Sequence, residues 1–128
     1  MAVRVGIIGL GIGLRHLEEY RRLEGAQVVA VADFDLERAR QVAARYGLRA
    51  YGDGAAMIDE EKLDAVSICT PPASHRLLTE AAAARGLHVL CEKPMAPTLA
   101  DCDAMIAACQ RAGVTLLLGF KKRSAPPF

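Results

Sequence analysis

Apolar residues follow two alternating periods along the chain. Short runs rich in valine and isoleucine, bounded by glycine or polar residues, are typical of buried strands in a parallel sheet. The longer segments between them carry apolar residues at every third or fourth position, which indicates amphipathic helices. This pattern predicts strands at residues 3–8, 27–32, 49–51, 65–69, 87–91 and 114–118, and helices at 14–24, 36–46, 55–58, 75–85 and 99–112.

Polar residues and glycines mark where several of these helices begin and end. Asp35, Ser74 and Thr98 are predicted N-caps, because short polar side chains accept hydrogen bonds from the first free N–H groups of a helix. Gly47 and Gly113 are predicted helix ends. The apolar face of the last helix is predicted to comprise Leu99, Cys102, Met105, Ile106 and Cys109.

The order of the elements predicts the fold class. Strands that alternate with helices along a whole chain pair in parallel through right-handed crossovers. Six such strands complete a doubly wound sheet. We therefore expect one α/β domain, with a six-stranded parallel sheet and helices on both faces.

Composition narrows the class of protein. Apolar residues make up 52% of the 128 positions and charged residues 24%, which is enough for a packed core. The formal net charge of +1 favours neither a nucleic-acid partner nor an acidic membrane surface. No apolar run reaches the ~18 residues of a transmembrane helix, and the N-terminus lacks the features of a secretory signal. A cytoplasmic protein is expected.

The four cysteines form no recognisable metal motif. Neither a CxxC pair nor a Cys/His pair with zinc-ligand spacing occurs in the sequence, so no metal site is predicted. Free cysteine is among the most buried residue types. We therefore expect all four to be reduced and structural.

A glycine-rich loop follows the first predicted strand. Gly9, Gly11, Ile12 and Gly13 lie between that strand and the first helix. Such a loop brings backbone N–H groups and a helix N-terminus up to a pyrophosphate, where side chains would block the approach. The dinucleotide-binding fingerprint G-x-G-x-x-G places its third glycine five residues after the first. Here Gly13 comes one residue early, and a tight structural turn is the alternative interpretation.

Asp33 supports the dinucleotide interpretation. It ends the second predicted strand, twenty residues after Gly13 and in the same βαβ unit. A carboxylate at this position accepts hydrogen bonds from the adenosine ribose, and its charge repels a 2′-phosphate. Phe34 follows, with no arginine or lysine immediately after it. The pattern favours NAD over NADP; the alternative is that Asp33 only begins a turn.

Two further polar segments follow strands four and five, TPPASH at 70–75 and CEKP at 91–94. Ligands of open parallel sheets bind at the carboxyl ends of the strands, so both segments are expected at that edge. The alternative for Glu92 and Lys93 is a solvated ion pair before a proline turn. His16 is expected either near the ligand or in solvent, and His88 is expected to be structural. The run at residues 121–123 is interpreted as a solvated loop.

In these segments the chain resembles the Gfo/Idh/MocA oxidoreductases, the family of glucose–fructose oxidoreductase and inositol dehydrogenase. The segments VRVGIIGLGIG, DAVSICTPPASH, HVLCEKPMAPT and LLLGFKKR occur in the family's order and approximate spacing. CEKP, at this distance after the TPP segment and its histidine, is the most specific of them. The resemblance covers all 128 residues.

The resemblance implies a Rossmann domain that binds NAD or NADP, and it implies a role for each motif. The glycine-loop residues would line the pyrophosphate, and Asp33 would bind the adenosine ribose. The TPP segment and its histidine would border the nicotinamide half, through Thr70, Pro71 and His75. Glu92 and Lys93 match the EKP motif, whose lysine contacts the nicotinamide ribose and the substrate hydroxyl and assists proton transfer. Lys93 is thus the predicted catalytic residue, with Arg123 a further candidate.

The resemblance also implies a division into domains. Residues 1–120 are expected to form the dinucleotide-binding domain, and 121–128 to begin the connection to a C-terminal substrate domain of roughly 200 residues that is absent here. The predicted function is hydride transfer between a nicotinamide cofactor and a sugar, cyclitol or related hydroxyl substrate, with no activity from this chain alone. The alternative is a non-catalytic NAD(H)-binding sensor or assembly module. Self-association as a homo-oligomer, through an edge near Phe128, is a further expectation.

Overall fold

The predicted strands form a single parallel sheet. The computed structural model of the chain describes residues 2–119. Its strands are β1 (Val3–Ile8), β2 (Ala26–Ala32), β3 (Arg49–Tyr51), β4 (Ala65–Ile68), β5 (His88–Glu92) and β6 (Leu116–Gly119). They lie in the order β3-β2-β1-β4-β5-β6, and all five neighbouring pairs are parallel. This is the strand order of a complete doubly wound sheet, so the predicted fold class is confirmed.

Helices pack on both faces of the sheet, as predicted. They are α1 (Gly13–Arg21), α2 (Leu36–Tyr46), α3 (Gly54–Glu60), α4 (His75–Ala84) and α5 (Leu99–Ala112). Successive residues of a strand point to opposite faces, and Ile7 and Ile8 accordingly belong to different cores. Ile7 packs in a cluster with residues of α1 and α2, whereas Ile8 packs in a larger cluster with residues of α3, α4 and α5.

The three predicted N-cap residues occupy N-cap positions, and two of them form the capping hydrogen bond. The Asp35 carboxylate accepts a hydrogen bond from the backbone N–H of Arg38, and the Thr98 hydroxyl accepts one from Asp101. Ser74 precedes α4 as predicted, but its side chain makes no capping hydrogen bond. Its hydroxyl instead donates to the Pro71 carbonyl at 2.8 Å, because a short 3₁₀ helix, Pro72–Ser74, turns the side chain back toward the preceding loop.

The predicted buried face of α5 is partly wrong. Met105, Ala108 and Cys109 are the buried residues of this helix. Leu99 is 83% exposed and Ile106 is 42% exposed. Ile106 follows Met105 directly and so lies about 100° around the helix from it, while Leu99 lies in the first turn, where no described element covers it.

All four cysteines lie within the described residues and are free thiols, as predicted. No helix of residues 2–119 is both long enough and apolar enough to span a membrane. The predictions that concern Arg123, the run at 121–123 and Phe128 fall outside the described residues.

Candidate functional site: the carboxyl edge of the sheet

Gly9 allows the chain to turn sharply at the end of β1. Its φ is +92°, in the left-handed region that favours glycine. A Cβ atom added there would lie 2.7 Å from the carbonyl carbon and oxygen of Cys69, at the end of β4. Backbone atoms cannot give way as a flexible side chain does. Gly9 is therefore required by the fold itself, whether or not a ligand is bound.

Gly11 and Gly13 meet different constraints. A Cβ atom on Gly13 would lie 2.9 Å from Cγ2 of Ile7, so this glycine lets α1 pack closely against β1. A Cβ atom on Gly11 would lie more than 4 Å from every atom of the described part of the chain, residues 2–119. In dinucleotide-binding loops the first glycine makes the turn, the second leaves room for the pyrophosphate and the third permits close packing of helix and strand. The shortened loop retains all three properties.

The N-terminus of α1 has no side-chain cap. The N-cap residue is Ile12, whose side chain makes no capping hydrogen bond. Within residues 2–119, the backbone N–H groups of Gly11, Ile12 and Gly13 donate no hydrogen bond. These groups lie at the positive end of the helix dipole, which is a favourable position for a phosphate group. The residues present thus fit a pyrophosphate.

Asp33 lies at the end of β2, beside this loop. One carboxylate oxygen accepts a hydrogen bond from the Leu10 N–H at 2.8 Å, and the other accepts one from the Asp35 N–H at 2.9 Å. Its side chain is 11% exposed. These two bonds fix the orientation of the carboxylate, and each oxygen keeps a lone pair that can accept from a ribose hydroxyl.

Arg38 lies near Asp33 and was missed by sequence reasoning. A guanidinium nitrogen of Arg38 is 4.0 Å from a carboxylate oxygen of Asp33, and the arginine side chain is 53% exposed. Arg38 stands four positions after Phe34 and not directly beside it. The signal was the Asp35 N-cap, because a helix that begins there returns Arg38 toward the end of β2 one turn later.

An open cleft of about 390 Å³ lies at the carboxyl edge of the sheet, and the predicted site residues Ile12 and Gly13 are not among the residues described as lining it. Of the predicted site residues, it brings together Gly9, Gly11, Asp33, Thr70 and Pro71. The remaining lining residues come from the same loops and from the starts of α2, α3 and α4: Ile8, Leu10, Phe34, Arg38, Gly52, Asp53, Gly54, Ala55, Cys69, Ser74, Leu77 and Leu78. The cleft lies at the switch point between β1 and β4, where doubly wound sheets bind their ligands.

His75 is completely buried and joins two loops. Its Nε2 is 2.6 Å from the Thr70 carbonyl oxygen, and its Nδ1 is 2.9 Å from the carbonyl oxygen of Met95. The ring thus holds the loop after β4 against the loop after β5. A direct contact between His75 and a cofactor stays a prediction, since in this structure the side chain presents no surface to the cleft.

Glu92 and Lys93 lie outside the cleft, at the end of β5. Glu92 is paired with His16 of α1, whose Nε2 is 2.8 Å from a carboxylate oxygen of Glu92. Lys93 is exposed and makes no ion pair with the described residues. The alternative interpretation, a solvated ion pair between Glu92 and Lys93, is therefore not observed among residues 2–119. The partner of His16 could not be predicted, because it is 76 positions away.

Cys69 completes a group of three potential metal ligands with His16 and Glu92, whose donor atoms lie within 4.8 Å of one another. The imidazole uses opposite nitrogens for its two neighbours, Nδ1 toward the Cys69 sulfur at 3.6 Å and Nε2 toward Glu92. Burial and the nearby Glu92 charge raise the pKa of the Cys69 thiol to about 12. A protonated thiol and a ring bonded on both sides form a hydrogen-bonded chain rather than a preformed metal site.

Comparison with known proteins agrees with this geometry. A family described as "Oxidoreductase family, NAD-binding Rossmann fold", Gfo/Idh/MocA, matches residues 3–120. The chain belongs to this family. Its resemblance to Gfo/Idh/MocA oxidoreductases is thereby confirmed, and so is the NAD-binding class of the fold.

Similar members of the family are sugar and cyclitol dehydrogenases. The chain is 48% identical over 114 residues to D-apiose dehydrogenase from Paraburkholderia graminis, covering 88% of this chain and 30% of that protein. It is 37% identical over 123 residues to myo-inositol 2-dehydrogenase from Thermotoga maritima, covering 94% and 37%.

A solved structure shares the fold and was determined with a bound cofactor. The WlbA dehydrogenase from Bordetella pertussis, in complex with NADH and UDP-GlcNAcA, superposes with a TM-score of 0.93 at 29% identity. The match covers 98% of this chain and 39% of that one. The chain thus spans 30% to 39% of the length of these relatives of the Gfo/Idh/MocA family.

Proposed function

We propose that this chain is the cofactor-binding part of a dehydrogenase that transfers a hydride between NAD and a hydroxyl group of a sugar or cyclitol. The observation that carries the proposal is that the glycine loop, which leads into the uncapped N-terminus of α1, lines one cleft together with the fixed carboxylate of Asp33. The first fits a pyrophosphate and the second fits a ribose diol. The substrate class rests on relatives named for D-apiose and myo-inositol.

The glycine loop and Asp33 would hold the two ends of the adenosine diphosphate half. The N–H groups of Gly11, Ile12 and Gly13 would donate to the pyrophosphate, and Asp33 would accept from the adenosine ribose hydroxyls. The Asp33 side chain is 11% exposed, and its negative charge would repel a phosphate group at the 2′ position of the ribose. Arg38 would weaken that repulsion, because its guanidinium lies 4.0 Å from the Asp33 carboxylate. The expected preference is for NAD, with measurable binding of NADP.

Lys93 would act on the substrate. When bound, the nicotinamide ring supplies the acceptor for the hydride of an alcohol. The hydroxyl proton must leave at the same time, and an ammonium or amine group close by can orient the hydroxyl and exchange its proton. Lys93 is suited to this role because it is exposed at the carboxyl edge, directly after β5. Binding and orientation of the substrate would require the part of the relatives that this chain does not span.

Calorimetric titration of the chain with NADH and, in parallel, with NADPH tests the proposal. We expect saturable binding of both, tighter for NADH. Asp33→Asn keeps an oxygen for the Leu10 N–H but removes the charge, so it should narrow the difference in affinity between the two cofactors. Asp64→Asn is the matched control, because Asp64 accepts from the Arg4 N–H before β4, away from the cleft. Absence of binding to either cofactor would refute the proposal, and an unchanged preference in Asp33→Asn would refute the role of Asp33.

A further inference from the structure

His16 connects three parts of the carboxyl edge. It lies in the first turn of α1, its Nε2 is 2.8 Å from Glu92 at the end of β5, and its Nδ1 is 3.6 Å from the sulfur of Cys69, directly after β4. The side chains of His16 and Glu92 are only 12% and 14% exposed. A partly buried hydrogen bond of this kind is stronger than one in solvent. The contact therefore fixes Glu92 relative to the helix that begins at the glycine loop.

The two ring nitrogens of His16 face different partners. Nε2 faces a carboxylate oxygen of Glu92 and Nδ1 faces the sulfur of Cys69. Because a carboxylate only accepts hydrogen bonds, the Nε2–H group donates to Glu92. This arrangement ends on a charged acceptor, and hydrogen bonds to charged groups are the stronger ones.

Glu92 also lies beside β6. It is paired with Gly119 in the sheet, and a Cβ atom added at Gly119 would lie 3.1 Å from the same carboxylate oxygen that His16 contacts. Glu92 thus lies between α1 and β6, and the next residue along the chain is Lys93.

This group lies on the side of the glycine loop opposite to Asp33. Asp33 follows β2, whereas Cys69 and Glu92 belong to the β4–β5 side of the sheet. A dinucleotide with its pyrophosphate at α1 and its adenosine at Asp33 extends its other half toward this group. The position of Glu92 therefore concerns the nicotinamide half alone.

We propose that His16 is a positioning residue, which through Glu92 sets the binding of the nicotinamide half of the cofactor and leaves the adenosine diphosphate half unaffected. This inference rests on the proposed function. This positioning role differs from a purely structural role of His16, because loss of structure would weaken the binding of every ligand in the cleft.

The test compares two ligands that share the adenosine diphosphate half, NADH and ADP, by calorimetry. His16→Ala should weaken NADH binding by about tenfold, the loss expected for a hydrogen bond to a charged group, and should change ADP binding by less than twofold. Equal losses for both ligands would overturn the inference, and so would unchanged NADH binding. If the unaltered chain binds neither ligand, the proposed function fails and the inference fails with it.

Variants of Glu92 test the same contact by changing its other residue. They remain informative even if His16→Ala does not fold. Glu92→Ala should also weaken NADH binding about tenfold and leave ADP binding unchanged. Glu92→Gln keeps an acceptor oxygen and should weaken NADH binding by less than threefold. The double variant His16→Ala/Glu92→Ala should bind NADH as the single variants do, since both remove one interaction. Additive losses, or full affinity in Glu92→Ala, would overturn the inference.

His88→Ala is the matched histidine control. His88 begins β5 at the end of the strand opposite to Glu92, and its Nδ1 accepts a hydrogen bond from the Thr115 N–H at 3.0 Å. The ratio of NADH affinity to ADP affinity should stay unchanged in this variant. A change as large as that in His16→Ala would mean that the ratio reports general loosening of the sheet, and the inference would be overturned.

Discussion

At the scale of single residues, Gly9 and Gly11 separate what the fold needs from what the ligand needs. They are two positions apart in one loop, yet an added Cβ atom would meet the Cys69 backbone at Gly9 and none of the atoms of residues 2–119 at Gly11. Gly9 also has a φ of +92°, which costs a residue with a side chain additional energy. The described fold therefore leaves room for a side chain at position 11, and we expect the absence of one to matter for a ligand that approaches the loop.

Alanine at each position should therefore give opposite results. Gly9→Ala should lower the free energy of unfolding by about 2 kcal/mol or more, through the clash and the strained backbone. Gly11→Ala should stay within about 0.5 kcal/mol of the unaltered chain and still weaken NADH binding by about tenfold or more. Urea unfolding and calorimetry measure the two effects. Undiminished NADH binding by Gly11→Ala would contradict the placement of the pyrophosphate at this loop.

The site residues that could be predicted from the sequence differ from those that could not in how far away their partners lie along the chain. Gly9, Asp33 and Lys93 could be recognised because each stands next to the end of a predicted strand. Arg38 required knowledge of where α2 begins, since its neighbour Asp33 lies one helical turn back. The contact of His16 with Glu92 joins positions 76 residues apart, and no local pattern encodes such a distance.

At the scale of elements, a cluster around Glu61 attaches the short edge strand β3 to the end of α3. Arg49 donates to both carboxylate oxygens of Glu61, at 2.6 and 3.1 Å, and the Tyr51 hydroxyl donates to one of them at 2.6 Å. The Glu61 side chain is 3% exposed. The Arg49 hydrogen bonds hold the pKa of Glu61 below its usual value, and the bond to Glu61 raises the pKa of Tyr51 to about 12.

The depressed pKa of Glu61 gives the stability of the chain a defined pH dependence. The stabilisation is fully present above the unfolded pKa of 4.5 and is lost as the pH falls through the lower pKa of the folded state. Glu61→Gln should therefore unfold more easily at pH 7, by about 1–3 kcal/mol, and this difference should shrink toward pH 3. Urea unfolding across that range measures it.

Glu60→Gln is the control for that experiment, because Glu60 is the exposed neighbour of Glu61 in the sequence. Its stability should follow that of the unaltered chain at each pH. A difference between Glu61→Gln and the unaltered chain that stays constant down to pH 3 would contradict the assignment of the pH dependence to this carboxylate.

The elements themselves were predictable where burial gives them a regular pattern. The continuous apolar run of β1 follows from burial of the strand on both faces, and the apolar stripe of α2 follows from packing of one helix face. Helix caps such as Asp35 and Thr98 act within three residues. Ser74 has the same side chain chemistry as a cap, but the prolines before it impose a 3₁₀ helix and redirect its hydroxyl to Pro71. Propensity alone could not distinguish these two outcomes.

At the scale of the whole molecule, the groups suited to bind a cofactor lie together in the cleft at the carboxyl edge of the sheet, and Lys93 lies at the same edge but outside the cleft. The cleft is lined from β1, β2 and β4, whereas Lys93 follows β5 and does not line it. Loss of Lys93 should therefore affect chemistry more than cofactor affinity.

Lys93→Ala tests this division in a chain joined to the C-terminal part of a relative such as the D-apiose dehydrogenase. We expect kcat to fall by about 100-fold or more, which is typical when a proton-transfer group is removed, while the Kd for NADH changes by less than about threefold. Lys62→Ala is the control, since Lys62 lies before β4, at the opposite edge of the sheet. Full turnover of Lys93→Ala would remove this lysine from the mechanism.

The missing cap of α1 has a further consequence for the molecule. Helices α2, α3 and α5 each begin with a side chain that accepts from their first free N–H groups. Helix α4 follows a 3₁₀ helix and has no such side-chain cap, and α1 begins at Ile12 with none. A phosphate seated at α1 would do for it what Asp35, Asp53 and Thr98 do for α2, α3 and α5. The first free N–H groups of α1 are thus left for water or for a negative charge from outside the chain, which would complete the first turn of the helix.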